Sequence, residues 1–174
     1  RLATCVASPP PAGRKASKEC TLGGLRPGAP VWVDAVAANA AGASAPTART
    51  RFVPSVPPSA PLAVGASRDR GPNHPLEQMT VRWNPAPGNG GASITRYEVR
   101  ASISYFRTHL LGMCSTDGSG RSCRLQPDDS HYRPNPYPSL AIIVRACNDV
   151  AFSNGERERR CGDWSQVLRW GTLW

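Results

Sequence analysis

Lysine is almost missing from this chain: Lys15 and Lys18 are the only two, so nearly all of the positive charge is arginine. No stretch of about 18 uncharged apolar residues occurs, so no helix of this segment is expected to span a bilayer. Asn-x-Ser/Thr is absent, and ordinary N-glycosylation is not expected. There is no Gly-x-Ser-x-Gly, no His-Glu-x-x-His and no phosphate loop, because Gly88-Asn-Gly-Gly91 lacks the lysine and the following helix that would cradle phosphate. The three histidines, His74, His109 and His131, are far apart, and Asp128-Asp129 lacks the ligand spacing of a calcium loop. The chain is therefore not expected to be an enzyme, and no catalytic residue, cofactor or metal is assigned to it.

What is present in quantity is backbone punctuation. Sixteen glycines and 18 prolines in 174 residues, about one in five, leave no room for a helical bundle and suit short strands joined by turns. The formal charge is +9, yet it is spread: residues 1–53 carry seven basic and two acidic side chains, the remainder fourteen and ten. Without a concentrated basic patch, nucleic acid is not an expected partner. A chain opening at Arg1 without Met is expected to be a processed product or an excised segment.

Six cysteines stand at 5, 20, 114, 123, 147 and 161, with no Cys-x-x-Cys and no histidine at zinc-ligand spacing. Disulfides are the better reading. Fifteen connectivities are open, and sequence neighbours favour Cys5 with Cys20, Cys114 with Cys123, and Cys147 with Cys161. Loops of that size are each worth about 3 kcal/mol on the chain-entropy account. Such bonds persist in an oxidising compartment, so an extracellular or cell-surface location is expected.

The chain also repeats itself. Cys20-Thr-Leu22 and Val31-Trp-Val-Asp-Ala-Val-Ala-Ala-Asn39 return as Cys123-Arg-Leu125 and Leu140-Ala-Ile-Ile-Val-Arg-Ala-Cys-Asn148. Cys5 to Cys114, Asn39 to Asn148 and Ser44 to Ser153 are each 109 positions apart. Alternation in Val31, Val33, Ala35 and Ala37, matched by Leu140, Ile142, Val144 and Ala146, predicts a strand with one buried face. Between the copies, Val53-Pro-Ser-Val-Pro-Pro-Ser-Ala-Pro61 reads as a stiff linker. The expected division is 1–53, a Pro-rich linker at 54–61, and 62–174.

The second copy further carries Pro61-Leu-Ala-Val64, Met79-Thr-Val-Arg-Trp83-Asn-Pro85 and Gly90-Gly-Ala-Ser-Ile94-Thr-Arg-Tyr97-Glu-Val99. In these runs the chain resembles the fibronectin type III family: the back half of one module over 1–53 and nearly a whole module over 57–174. The resemblance implies an all-β fold of tandem immunoglobulin-like β-sandwiches, with Trp83, Ile94, Tyr97 and Val99 directed into a core between two sheets. Two departures stand out. Val31 and Leu140 replace the family's tyrosine at the start of the sixth strand, for which Tyr132 or Tyr137 is a substitute. The first copy lacks a strand with a core tryptophan, so it is expected to continue upstream in a longer parent.

The candidate partner-binding residues fall in two groups. Phe152, Arg157, Arg159 and Arg160 lie in the long hairpin between the last two strands, where a rigid scaffold presents a variable tip; Arg157-Glu-Arg-Arg160 also has the Arg-x-Arg-Arg form of a secretory processing site. Arg145, with Arg96 and Arg100, is expected to face outward beside Trp164 and Trp170 and to stack on the indoles. The proline clusters at 9–11, 54–61 and 134–138 are expected to be extended, polyproline-like segments. Function then reads as a non-catalytic extracellular structural or adhesion module, a repeat unit and protein-binding spacer of a larger surface protein or filament. Its expected partners are other domains of the same parent and a protein or glycan. The alternatives are an accessory region of a secreted carbohydrate-active hydrolase, and a receptor ectodomain.

Overall fold

The computed structural model describes residues 4–7, 20–69, 78–103, 110–125, 140–151 and 155–170. Phe152, the three histidines, Asp128 and Asp129, Tyr132, Tyr137 and the proline clusters at 9–11 and 134–138 lie outside these residues. Every regular element among the described residues is a β-strand, as the glycine and proline content requires. No helix there is long and apolar enough to cross a membrane. The chain falls into two units, Arg1–Pro54 and Ser55–Trp174.

In the first unit, β1 (Val31–Val33) pairs antiparallel with β4 (Thr50–Phe52), and β2 (Ala38–Asn39) with β3 (Gly42–Ala43). The intervening stretch is held by hydroxyls standing in for the ladder. Thr47 donates its N–H to the Ala35 carbonyl at 2.9 Å and accepts the Ala35 N–H on Oγ1 at 3.0 Å. Ser44 does the same with Ala37, at 2.8 and 3.1 Å. Threonine and serine are suited to this because a hydroxyl can take the place of a missing backbone acceptor.

The second unit has two sheets. One is ordered β5 (Leu62–Asp69), β6 (Gln78–Asn84), β9 (Ser122–Leu125). In the other, β7 (Ile94–Ile103) lies between β8 (Leu110–Asp117) and β10 (Leu140–Ala151). The far edge of β10 is shared by β11 (Arg157–Cys161) and β12 (Leu168–Trp170). Alternation decides which side chains go inward: Val81 and Trp83 of β6, Tyr97 and Val99 of β7, and Ile142, Val144 and Ala146 of β10 are buried in one core, with Leu125 of β9. Each such large side chain is worth roughly 1.5–3 kcal/mol. The Trp83 and Tyr97 rings meet tilted at 46° with centroids 5.5 Å apart. Ile94 packs against this cluster from the edge.

The three disulfides join sequence neighbours: Cys5 with Cys20, Cys114 with Cys123, and Cys147 with Cys161. Cys114–Cys123 ties β8 to β9 and so fastens one sheet to the other. Cys147–Cys161 staples directly opposed residues of β10 and β11.

The repeat is visible in the hydrogen-bond register. Val31↔Phe52, Trp32↔Arg51 and Val33↔Thr50 return as Leu140↔Trp170, Ala141↔Arg169 and Ile142↔Leu168, shifted by 109 positions on one strand and 118 on the other. The same two shifts carry Ala35–Thr47 into Val144–Ser165, where Ser165 donates its N–H to the Val144 carbonyl at 2.8 Å and accepts the Val144 N–H at 3.0 Å. They also carry Ala38↔Ala43 into Cys147↔Cys161. The bridge of the second copy therefore occupies a pair of alanines in the first.

Within the segment expected as a linker, Pro54 closes the first unit and Ser55–Pro61 belongs to the second. Val56 and Ser59 donate backbone N–H groups to the carbonyls of Gly90 and Gly88, at 2.8 and 2.9 Å. Pro58 and Pro61 are buried. The fit needs two glycines, since a Cβ at Gly90 or Gly162 would overlap the carbonyl oxygen of Val56 or Pro58.

The Trp83 indole N–H has no partner among the described residues, so its role is volume. Trp83→Phe is expected to cost about 1–2 kcal/mol and Trp83→Ala about 4 kcal/mol in urea unfolding.

Candidate functional site: the arginine–tryptophan face

The outer face of the β7–β10 pair is built by the strands' alternation. With Tyr97, Val99, Val144 and Ala146 turned to the core, Glu98, Arg100 and Arg145 must point outward. Arg145 lies directly opposite Glu98 and reaches Glu98 Oε2 with Nε at 2.9 Å and Nη2 at 2.8 Å. Both side chains are about three-quarters covered, at 26% and 23% exposure, so this pair is less screened by solvent than a surface ion pair.

Trp164 comes to this face from the irregular stretch between β11 and β12. Gly162 donates its N–H to Ala146, and Ser165 is buried against Val144. Anchored on both sides, the chain turns the Trp164 side chain outward. Its ring receives two guanidinium groups, Arg145 at 4.5 Å and Arg100 at 4.8 Å from the centroid. The order Arg100, Trp164, Arg145, Glu98 is thus a ladder of cation–π contacts ended by an ion pair. Trp170 is placed by its backbone opposite Leu140, the first residue of β10 and five positions from Arg145.

The hairpin arginines are distributed differently. Arg159 pairs with Asp149 across the strands at 3.4 Å. Arg160 holds Glu158 at 2.8 Å and donates to the Ser55 carbonyl at 3.0 Å. Arg157 is exposed, opposite Ala151. The structure therefore brings Arg145 and Trp164 together and engages Arg159 and Arg160 with carboxylates of their own hairpin. Arg96 bonds Ser115 Oγ at 3.0 Å, beside an open recess of about 360 Å³ that also involves Thr95, Asp117, Asp149 and Arg159.

Glu98 carries no sequence signal of its own, although its place opposite Arg145 follows once the register is known. Asn148 stands out in the sequence only as part of the repeat. It is fully buried and donates from Nδ2 to the carbonyls of Val56, at 3.2 Å, and Asn89, at 2.9 Å.

The Glu98 carboxylate lies within 4.8 Å of the sulfurs of Cys147 and Cys161. Those sulfurs are bonded to each other and are not thiolates, so the trio has no metal-ligand chemistry. At the β8–β9 turn, the Asp117 carboxylate is held below the usual carboxylate range, first by the Ser119 hydroxyl and then by the Gly120 and Ser119 amides. The Ser119 hydroxyl donates at 2.6 Å and both amides at 2.9 Å.

The chain matches no protein-family model and no curated protein.

Two measurements check this site. Trp164→Ala removes both cation–π contacts and is expected to lower stability by about 2 kcal/mol in denaturant unfolding. Because the Asp117 carboxyl is depressed in the folded state, the stability it contributes is present above its unfolded value of about 3.9. It is lost as pH falls through the lower folded value, so the Ser119 and Gly120 amide resonances are expected to move only in that acidic range. In Asp117→Asn they are expected to stay fixed.

Proposed function

We propose that this chain is a non-catalytic extracellular spacer and adhesion segment of a larger surface protein or filament, built from fibronectin type III-like modules. The observation that carries the reading is the disulfide placement: Cys114–Cys123 fastens sheet to sheet, and Cys147–Cys161 closes the base of the β10–β11 hairpin. Bridges placed in this way withhold the loops they enclose from stretching under load and hold the strands beside them at fixed spacing. The strand division supports the same reading. First, second and fifth strands form one sheet and the others form the second, the partition of immunoglobulin-like sandwiches. Its partners are other domains of the parent chain and a protein or glycan that reads the exposed hairpin.

The test uses the protein from its source, alkylated before lysis, with a membrane-impermeant label applied to intact cells. Labelled chain carrying all three bridges is the expected result; unlabelled chain with free Cys114 and Cys123 overturns the proposal. Mechanical stapling has its own measurement. The two bridges of the second unit enclose loops with sequence separations of 9 and 14 and span 6.2 and 4.0 Å between Cα atoms, so reduction is expected to lengthen the fully stretched unit by about 70 Å. An equal contour length with and without reductant would exclude load-bearing bridges.

A further inference from the structure

The repeated register exposes a difference between the two copies. In the second, Ile142, Val144 and Ala146 are fully buried. Their counterparts in the first, Val33, Ala35 and Ala37, are exposed, and Phe52, which pairs with Val31, is 48% exposed. The same strand also has an open edge. Ala35 and Ala37 spend their N–H and C=O groups on Thr47 and Ser44. Alternation therefore turns those of Trp32, Asp34 and Val36 the other way, where no strand among the described residues pairs with β1. In the second copy β7 fills this edge along nine pairs, from Leu140↔Ile103 to Asn148↔Ile94, and β6 covers the face with Val81 and Trp83. An apolar face joined to a free edge is an interface waiting for a strand.

From this we infer that the first unit is a docking surface for strands of its own polypeptide lying on the N-terminal side of Cys5. They comprise an edge strand with alternating apolar residues, antiparallel to Val31–Ala37, and a covering strand that brings an aromatic residue over Val33 and Ala35. The position in the chain follows from the bridges. Cys5 stands 109 positions before Cys114 and is bonded to Cys20 as Cys114 is to Cys123. β9, which brings Leu125 to the core, follows Cys114 and has its sequence counterpart in the first copy at Cys20-Thr-Leu22, whereas β5, β6 and β7 all precede Cys114 in the chain. The occupant equivalent to them therefore precedes Cys5. This inference rests on reading the two units as copies of one fold; it does not depend on their cellular location, so a failed surface-labelling test leaves it standing.

The test compares amide hydrogen exchange in the polypeptide isolated from its source with that in the 174-residue chain. A native mass above 18.6 kDa is expected, with exchange at Trp32, Asp34 and Val36 slowed roughly a hundredfold or more. Val33→Asp in the native polypeptide is expected to abolish that protection while leaving the Val144 amide protected. Equal exchange rates in the two chains overturn the inference. So does protection that appears in the 174-residue chain only with rising concentration and a doubled mass, which would make the occupant a second copy. Protection unaffected by Val33→Asp overturns it as well.

Discussion

The register of β10 is the constraint on which the second unit depends. This strand pairs with β7 along one edge and with β11 and β12 along the other. Its side chains alternate between a core of Ile142, Val144, Ala146 and Asn148 and an outer face of Arg145 and Cys147. A slip of one residue would drive the Arg145 guanidinium into the core, part it from Glu98 and carry Cys147 away from Cys161. Three unrelated forces, hydrophobic burial, an ion pair and a covalent bond, therefore select the same alignment. Agreement of that kind gives one native state a gap over its competitors.

The break between β11 and β12 shows how an interruption in a ladder is made useful. A strand that ran straight past β10 would have no reason to lift an indole onto the outer face. At Ser165 a hydroxyl takes over the hydrogen bond that the backbone has abandoned, and the chain rises far enough for Trp164 to lie between two arginines. Thr47 makes the same substitution in the first unit. There, among the described residues, Asp34 and Arg49 form an exposed ion pair at 3.1 Å. The device is thus common to both strand pairs, and the arginine–tryptophan ladder is described in the second.

Much of this was legible in the sequence because it depends on period-two alternation and short-range spacing. Ile142, Val144 and Ala146 could be given a buried face from alternation alone, Trp83, Tyr97 and Val99 were directed into a core through the resemblance of their runs to a known family, and the three bridges joined nearest neighbours. The outward direction of Arg100 and Arg145 followed from parity. What could not be read depends on which residue of one strand faces which residue of another. Glu98 looks like any surface acid until the alignment puts it opposite Arg145. Asn148 looks like a turn residue until the chain at 55–59 arrives beside it. The same stretch reads as a stiff linker because its contacts, with Gly88, Gly90 and Gly162, lie about 30 to 100 positions away in the chain.

The Cys147–Cys161 bond turns the hairpin beyond it into a covalent ring seated on the sheet. Backbone scission inside that ring, including after Arg160, would leave both fragments attached through sulfur, with the Ile142–Ala146 portion of the core still in place. Length is likewise insulated: this tip is nine residues longer than its counterpart in the first copy, yet the pairings below the bridge correspond one for one. The tip is in effect a cyclic peptide on a fixed mount, whose feet at Asn148 and Arg160 are bonded to the chain at Ser55, Val56 and Asn89.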